Sequence, residues 1–144
     1  MIRGINHITL AVKDVELSFK FYTKILGFKP VAKWGKGAYL EIADTWISLN
    51  QDPKVADAKR TDYSHIAFTC NSSDYQSLRT RLLKYGCVEW SENESEGDSF
   101  YFLDPDGHKL EIHVGDLKSR LKNMHGKPWD EFEFYRLAHN KRLG

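Results

Sequence analysis

Two stretches of the sequence follow one pattern: NHITLAV occupies residues 6–12 and SHIAFT occupies residues 64–69. In each stretch apolar residues alternate with other residues, which is typical of a β-strand with one buried face. Each stretch is followed by a helical pattern, which ends at Gly27 in the first half and at Gly86 in the second. The sequence therefore contains a repeat of a strand followed by a helix, and this repeat decides the fold.

Both helical patterns place apolar residues on one face. Asp14 is predicted to cap the first helix, with Gly27 just beyond its C-terminus, and Ser72 or Ser73 lies near the predicted cap of the second. The apolar positions are Val15, Phe19, Tyr22 and Leu26 in the first helix, and Tyr75, Leu78, Leu82 and Tyr85 in the second.

Short β-like runs follow each helix, at residues 38–42 and 46–49 in the first half and 99–103 and 109–114 in the second. The turn sequence Asp104-Pro105-Asp106-Gly107 joins the last two runs. We interpret residues 1–144 as one domain of two βαβββ modules, at about 1–60 and 61–116, with a C-terminal tail at 117–144. Leu117, Leu121 and Met124 suit a short helix in that tail. Because one helix covers only one face of its sheet, the modules are expected to combine around a shared concavity, in an α+β fold.

Composition limits the possible functions. The chain has 144 residues, 41% hydrophobic and 28% charged, with no apolar run near the ~20 residues that span a bilayer, so we expect one soluble domain and no membrane partner. Its net charge is +1 and no basic stripe indicates nucleic-acid binding, so a small-molecule partner is expected. The two cysteines are too few for a disulfide scaffold and no secretory leader pattern is present, which predicts a cytoplasmic location.

Strand alternation separates residues that face the helices from residues that face the concavity. The concave face carries four polar side chains that could act in a site, namely His7, Thr9, His65 and Glu111. Two imidazoles and one carboxylate with open positions suit Mn²⁺, Fe²⁺ or Zn²⁺ in a site for catalysis or ligand capture. A surface or structural role for each histidine is the alternative. Matching the halves pairs His7 with His65, Tyr39 with Tyr101, and Ser48 roughly with Glu111.

A polar loop, NESEGDS, occupies residues 93–99. Its carbonyls and hydroxyls suit a monovalent cation or an anion, and a solvated hairpin loop is the alternative. Arg120 offers a bidentate fork for a phosphate-like group, with a solvated surface position as the alternative. Tyr39 and Trp46 are interpreted as pocket wall or as core.

Four stretches together carry a family resemblance: NHITLAV at residues 6–12, GAYLE at 37–41, DYSHIAF at 62–68 and SEGDSFYFLDPDGHKLEIHVGDL at 95–117. They resemble the fosfomycin-resistance glutathione transferases of the vicinal oxygen chelate superfamily, over about residues 1–124. The resemblance implies a homodimer with domain-swapped pairing of βαβββ modules. His7 of one chain would then join His65 and Glu111 of the other around Mn²⁺.

The resemblance also implies an activity, the addition of the glutathione thiol to the oxirane ring of fosfomycin. Thr9 would hydrogen-bond the oxirane oxygen and help to protonate it, and the Tyr39 phenol would favour the thiolate. The other implied roles are phosphonate binding by Ser95, Tyr101 and Arg120 with K⁺, an apolar substrate wall at Trp46, and a potassium loop of Asn93, Ser95, Glu96, Gly97 and Ser99.

Two positions depart from the family pattern. Ser91 stands where the family usually carries a lysine, and Glu94 stands where a second basic residue is common. Because the phosphonate is a dianion, losing these charges predicts weaker fosfomycin binding or a different preferred substrate.

Other activities of the same superfamily are the alternatives. Relatives that use bacillithiol or free cysteine as the thiol donor typically have a cysteine residue at the position of Thr9. The threonine here therefore favours glutathione as the thiol donor. A fosfomycin epoxide hydrolase would need a further carboxylate as base, and Glu41 and Asp44 lie in the right region. A non-catalytic small-molecule-binding protein would not need the three metal ligands. Ser48 and the polar loop argue against a glyoxalase or a dioxygenase.

Overall fold

The computed structural model describes residues 1–57, 60–126 and 129–136. The first half contains β1 (His7–Val12), α1 (Val15–Lys20) continued by a π-helical turn (Phe21–Ile25), β2 (Lys29–Trp34), β3 (Gly37–Ile42) and β4 (Thr45–Gln51), followed by a 3₁₀ helix (Pro53–Asp57). The second half contains β5 (Ile66–Thr69), α2 (Ser72–Tyr85), β6 (Glu89–Ser91), β7 (Ser99–Leu103), β8 (Lys109–His113) and α3 (Leu117–Met124).

The two halves have the same strand order, β1-β4-β3-β2 in the first sheet and β5-β8-β7-β6 in the second. In each sheet the first strand pairs in parallel with the last strand of its module, and the other pairs are antiparallel. The prediction of an α+β fold with two βαβββ repeats is therefore confirmed. The runs recognised in the sequence did not include the edge strands β2 and β6. Every residue of β2 is exposed and β6 has only three residues, so neither has a clear apolar alternation.

The first helix begins as predicted but ends differently. The Asp14 side chain accepts a hydrogen bond from the Leu17 backbone N–H, as expected of an N-cap. The last turn widens to π geometry, in which the Leu26 N–H bonds the Phe21 carbonyl. The adjacent residues Phe21 and Tyr22 of this turn are both buried. Phe21 is absent from the predicted apolar stripe because a regular 3.6-residue period places it on another face.

The second helix begins at one of the two residues expected near its cap. Its N-cap is Asn71, and Ser72 is already helical. At the C-terminus Gly86 adopts a left-handed conformation with φ of 97°, and its N–H bonds the carbonyls of Leu82 and Leu83. Leu82 is fully buried, whereas Tyr85, the last member of the predicted stripe, remains substantially exposed.

One hydrophobic core joins the two modules, because buried residues of β1, β3 and β4 pack with Leu82 and with buried residues of β7 and β8. The predicted turn at residues 104–107 also contributes to the contact between the two modules. Asp106 of that turn accepts hydrogen bonds from the Lys13 backbone N–H and from the Ser18 hydroxyl. The modules therefore lie in a fixed relation to each other within one chain.

The predicted tail helix is present as α3, where Asp116 and Ser119 form a reciprocal capping box. The rest of the predicted tail lies partly outside the described residues, at 127–128 and 137–144. Among the helices that the structure describes, none is long and apolar enough to cross a membrane.

Candidate metal and substrate site

The centre of the second sheet brings together two of the predicted metal ligands. Glu111 lies on β8 with Ala67 of β5 and Tyr101 of β7 as its ladder partners. His65 directly precedes β5, and its Nε2 lies 3.0 Å from Oε1 of Glu111. Both side chains are mostly shielded, with 19% of the His65 side chain and 5% of the Glu111 side chain exposed. Residues 46 positions apart in the chain therefore share one polar site.

The hydrogen bonds of His65 fit metal binding. Nδ1 lies 2.8 Å from the carbonyl oxygen of Tyr63, which only accepts, so this nitrogen is assigned the proton. In the neutral ring Nε2 then presents a lone pair to the Glu111 carboxylate. Two electron-pair donors 3.0 Å apart are satisfied by a cation between them, and one ion bonds both at the ~2.0–2.2 Å lengths usual for imidazole and carboxylate ligands. The pair thus matches two ligands of an open divalent site.

A second pair of polar side chains holds the other oxygen of Glu111. The Ser99 hydroxyl donates to Oε2 at 2.7 Å and lies 2.6 Å from Nδ1 of His113. Nε2 of His113 faces Oε1 of Glu96 at 3.3 Å. Strand alternation already placed His113 on the concave face, but neither the residue pattern nor the family resemblance implied a role for it. The available signal was its position two residues after Glu111 on the same strand.

His7 lies on the first sheet, apart from this pair. In one chain its ring stacks on Trp46, with centroids 4.1 Å apart, and Nδ1 contacts Oδ1 of Asn6 at 2.6 Å. Within the described ranges of a single chain, no three His, Cys, Asp or Glu side chains are grouped to hold a metal. Of the three predicted ligands, one chain therefore brings together only His65 and Glu111. The exchange of His7 between two chains stays a prediction.

The concave face of the first sheet has the same arrangement of ladder partners as that of the second. Tyr39, Ser48 and Thr9 form one ladder row across β3, β4 and β1, as Tyr101, Glu111 and Ala67 do in the second sheet. Ser48 thus occupies the position in module 1 that Glu111 occupies in module 2. Its hydroxyl bonds Oδ1 of Asn50 and carries no charge, so the metal ligand of this position exists in only one module.

Aromatic side chains line both concave faces. In the first sheet the Tyr39 ring contacts Trp34 and Trp46 edge-on, at centroid distances of 4.8 and 5.1 Å, and Tyr39 is 39% exposed. Its phenol is therefore accessible to a bound molecule. Trp46 lies between His7 and Tyr39, which places it on the site face rather than in the core.

The second sheet carries an aromatic wall that strand alternation alone does not predict. The Tyr63 ring contacts His65 at 5.0 Å and Trp90 at 5.7 Å, and Trp90 contacts Tyr101 at 5.2 Å. Desolvation raises the pKa of the Tyr63 phenol, and neighbouring Tyr101, Glu111 and Glu94 raise it further. Glu94 is one of the two departures from the family pattern, and its negative charge contributes to the raised pKa of Tyr63 on this wall.

The polar loop folds on itself. Oδ1 of Asn93 accepts hydrogen bonds from the backbone N–H and the hydroxyl of Ser95, and Nδ2 of Asn93 donates to the Gly97 carbonyl at 2.8 Å. Oε1 of Glu96 lies 3.7 Å from Nε of Arg120 on α3. The predicted phosphonate ligand Arg120 is therefore brought to the loop, where a carboxylate pairs with it.

A comparison with protein families finds one match over most of the chain. The sequence model of the glyoxalase/bleomycin resistance protein/dioxygenase superfamily matches residues 4–112. Among individual sequences, the glutathione transferase FosA of Serratia marcescens is 45% identical over 131 residues, which cover 90% of this chain and 93% of that protein. The metallothiol transferase FosB of Shouchella clausii (strain KSM-K16) is 40% identical over 127 residues, covering 84% and 86%.

Solved structures of fosfomycin resistance proteins are also similar to this chain. A monoclinic crystal form of FosX, a fosfomycin resistance protein of Listeria monocytogenes, superposes with a TM-score of 0.76 at 33% identity and covers 85% of this chain and 99% of that one. A FosX variant from the same organism, complexed with Mn(II) and 1S,2S-dihydroxypropylphosphonic acid, gives a TM-score of 0.75 at 35% identity, covering 87% and 100%.

Proposed function

Because the chain belongs to the glyoxalase/bleomycin resistance protein/dioxygenase superfamily, we propose that it is a metal-dependent transferase that adds the glutathione thiol to the oxirane ring of fosfomycin. The observation that carries the proposal is the mostly buried pair of His65 and Glu111, whose donor atoms lie 3.0 Å apart at the centre of the second sheet. The 45% identity with a glutathione transferase over nearly the whole chain favours glutathione as the thiol.

In this proposal His65 and Glu111 of one chain and His7 of a second copy hold a divalent ion, Mn²⁺. When bound, the ion supplies Lewis acidity, which stabilises the negative charge that develops on the oxirane oxygen as the carbon–oxygen bond breaks. The homodimer is part of this proposal because the described residues of one chain do not group three such ligands. His7 is exposed on β1, at a surface where it would meet a second copy.

Residues of the first sheet would act on the two reacting groups. The Thr9 side chain is exposed on β1, where its hydroxyl would donate a hydrogen bond to the oxirane oxygen and help to protonate it. The accessible Tyr39 phenol would donate to the glutathione sulfur, which favours the thiolate. Trp46, packed between His7 and Tyr39, would line the apolar side of the substrate.

The phosphonate would be held at the second sheet. It is a dianion, so it needs several donors and cations. Ser95, Tyr101 and Arg120 would supply donors, and Arg120 already lies beside the loop through Glu96. K⁺ would bind at Asn93, Ser95, Glu96, Gly97 and Ser99, and would offset the loop carboxylate near the phosphonate.

The test begins with the metal content of the purified protein. Fosfomycin turnover is then measured with glutathione and Mn²⁺, with and without K⁺, and the product is identified by mass spectrometry. A glutathione adduct formed only with a divalent metal supports the proposal. Metal-dependent formation of a water adduct without a thiol overturns it in favour of an epoxide hydrolase, and tight fosfomycin binding without turnover overturns it in favour of a binding protein.

The hydrolase alternative has one structural observation in its favour. Glu41 lies in one ladder row with Trp46 and His7, so it puts an exposed carboxylate on the concave face. Glu41→Gln separates the two activities, because loss of water addition with retention of thiol addition would identify this carboxylate as a base for water only.

The ligand role of His65 is tested by His65→Ala. Removing one of three ligands is expected to abolish turnover and to lower Mn²⁺ affinity at least ~100-fold while the folded dimer remains. His125→Ala, at the end of α3, is the matched control, since it removes an exposed imidazole from an element that carries none of the three predicted ligands. Retained activity in His65→Ala would refute the assignment.

A further inference from the structure

We propose that His113 is a positioning residue for Glu111, acting through the hydroxyl of Ser99, and that this pair sets the divalent-metal affinity of the site. The inference rests on the proposed function only in that Glu111 is taken as a metal ligand. It concerns the carboxylate oxygen that faces away from His65, to which the sequence and the comparisons assign no partner.

The three residues are brought together by the β7–β8 ladder. Ser99 and His113 are directly opposite each other, and Glu111 lies two residues before His113 on the same face of β8. All three are buried, with 6% of Ser99, 4% of Glu111 and 8% of His113 exposed. Regular antiparallel pairing therefore places a hydroxyl between an imidazole and a carboxylate.

Nδ1 of His113 lies 2.6 Å from the Ser99 oxygen and 3.5 Å from Oε2 of Glu111, so its shorter contact is with Ser99. An ionised carboxylate only accepts, so the single hydroxyl proton of Ser99 is donated to Oε2 of Glu111 at 2.7 Å. The Ser99 oxygen must then accept the proton on Nδ1 of His113, which lies 2.6 Å away. Hydrogen bonds are thus donated from His113 to Ser99 and from Ser99 to Glu111, and each bond fixes the orientation of the next group.

The imidazole of His113 is enclosed on its other side. Nε2 faces Oε1 of Glu96 at 3.3 Å, and the ring edge lies against two glycines. A Cβ atom on Gly115 would lie 2.8 Å from Nε2, and one on Gly97 would lie 3.3 Å from Cε1. Because side chains at these positions would displace the ring, the backbone is shaped to admit an imidazole here.

The consequence for Glu111 is a fixed carboxylate. Oε2 is bonded to Ser99, which turns Oε1 towards Nε2 of His65, the side on which a metal ion would bind. A buried carboxylate without such a donor would be free to rotate and would be poorly compensated. Groups that hydrogen-bond a ligating residue typically change metal affinity 10- to 100-fold when removed.

The experiment measures Mn²⁺ binding to the purified full chain by isothermal titration calorimetry, without fosfomycin or glutathione. K⁺ is first replaced by tetramethylammonium and the titrations are then repeated with K⁺, because Ser99 and Glu96 belong to the predicted potassium loop. His113→Phe keeps a ring but removes the donor, whereas His113→Asn keeps an N–H donor close to the place of Nδ1. We expect His113→Phe to bind Mn²⁺ ~10- to 100-fold more weakly, and His113→Asn to stay within ~3-fold of the parent protein.

Ser99→Ala provides a second variant with a smaller change of volume, and it tests the same chain if His113→Phe does not fold. It is expected to lose affinity by the same factor as His113→Phe. The double variant is expected to lose no more than either single variant, because both remove the same chain of bonds. Circular dichroism of each protein confirms that the fold is retained.

Four results would overturn the proposal. They are an unchanged Mn²⁺ affinity in His113→Phe and Ser99→Ala, an equal loss in His113→Asn and His113→Phe, fully additive losses in the double variant, and a loss that occurs only when K⁺ is present. Mn²⁺ binding with the expected variant pattern, but without fosfomycin turnover, would leave this inference standing and would refute the proposed function. The two failures are therefore distinguishable.

Discussion

The hydroxyl of Tyr22 in module 1 donates a 2.6 Å hydrogen bond to Oδ2 of Asp104 in module 2, across 82 residues of sequence. Both side chains are buried, and Oδ1 of Asp104 also accepts the backbone N–H groups of Asp106 and His108. Burial raises the pKa of the Asp104 carboxyl, and these hydrogen bonds oppose that rise. The contact therefore ties the turn of one module to the helix of the other at a point that water does not reach.

Tyr22→Phe is expected to destabilise the protein by ~1.5–3 kcal/mol, because it removes a buried hydrogen bond to a carboxylate while the ring packing is kept. Urea denaturation followed by circular dichroism measures the change. Tyr85→Phe is the matched control, since Tyr85 is on the outer end of α2 and 43% exposed, and a change of less than ~0.5 kcal/mol is expected there. Equal losses in the two variants would show that the interaction with Asp104 contributes nothing.

The same tyrosine predicts a dependence of stability on alkaline pH. Burial, and then the charge of Asp104, raise the pKa of Tyr22 well above its ordinary value of 10.0. Above about pH 10 the unfolded chain loses this proton and the folded chain keeps it, so the free energy of unfolding falls by up to ~1.4 kcal/mol per pH unit. Tyr22→Phe should lack this component, and the difference between the two proteins isolates it from other tyrosines. Parallel pH profiles between about pH 9 and pH 11 would contradict the prediction.

Ser91→Lys is expected to lower the KM for fosfomycin. Ser91 is the last residue of β6 and pairs with Tyr101 in the ladder, so a lysine there would extend near the proposed phosphonate site. One charged hydrogen bond of ~1.5 kcal/mol corresponds to a factor of ~10. Ser91→Gln is the neutral control of similar length. An unchanged KM in the lysine variant would contradict the prediction that the missing charge weakens fosfomycin binding.

Gly97→Ala is expected to deform the polar loop. A Cβ atom there would lie 2.3 Å from the Val114 carbonyl oxygen, and its φ of 75° is one that L residues rarely adopt. We expect a cost of ~1–3 kcal/mol in stability and a loss of any activation of turnover by K⁺. Thermal melting and K⁺ titration of turnover measure the two effects. Gly35→Ala, with no atom within 4 Å of the added Cβ, should leave both unchanged.

Cys87 is expected to be unreactive. Burial, with a smaller contribution from Asp104, raises the pKa of its thiol from 9.0 to about 11. At pH 8 its thiolate fraction is then about a hundredfold below that of an unperturbed thiol. Iodoacetamide alkylation followed by peptide mass spectrometry should be slow at Cys87 in the folded protein and fast in urea. Equal rates in the two conditions would refute the effect of burial.

The sequence was informative where the physics is local. Strand alternation depends on the backbone of adjacent residues, and it correctly assigned Leu10 and Val12 to the core and Glu111 to the concave face. The Asp14 cap and the turn at residues 104–107 were also predicted, because each depends on hydrogen bonds over three or four positions. The repeat predicted His65 and Glu111 at one level of the concave face, and the structure places their side chains 3.0 Å apart.

Tertiary structure decided the contacts between elements. The π turn at Phe21–Ile25, the hydrogen bond from Ser99 to Glu111 and the pairing of Arg120 with Glu96 each depend on how distant segments pack. The separation of His7 from His65 within one chain is of the same kind, because it is set by the orientation of two sheets around a shared core. Periodicity determines which way a side chain points from its own strand, whereas only packing determines what it meets.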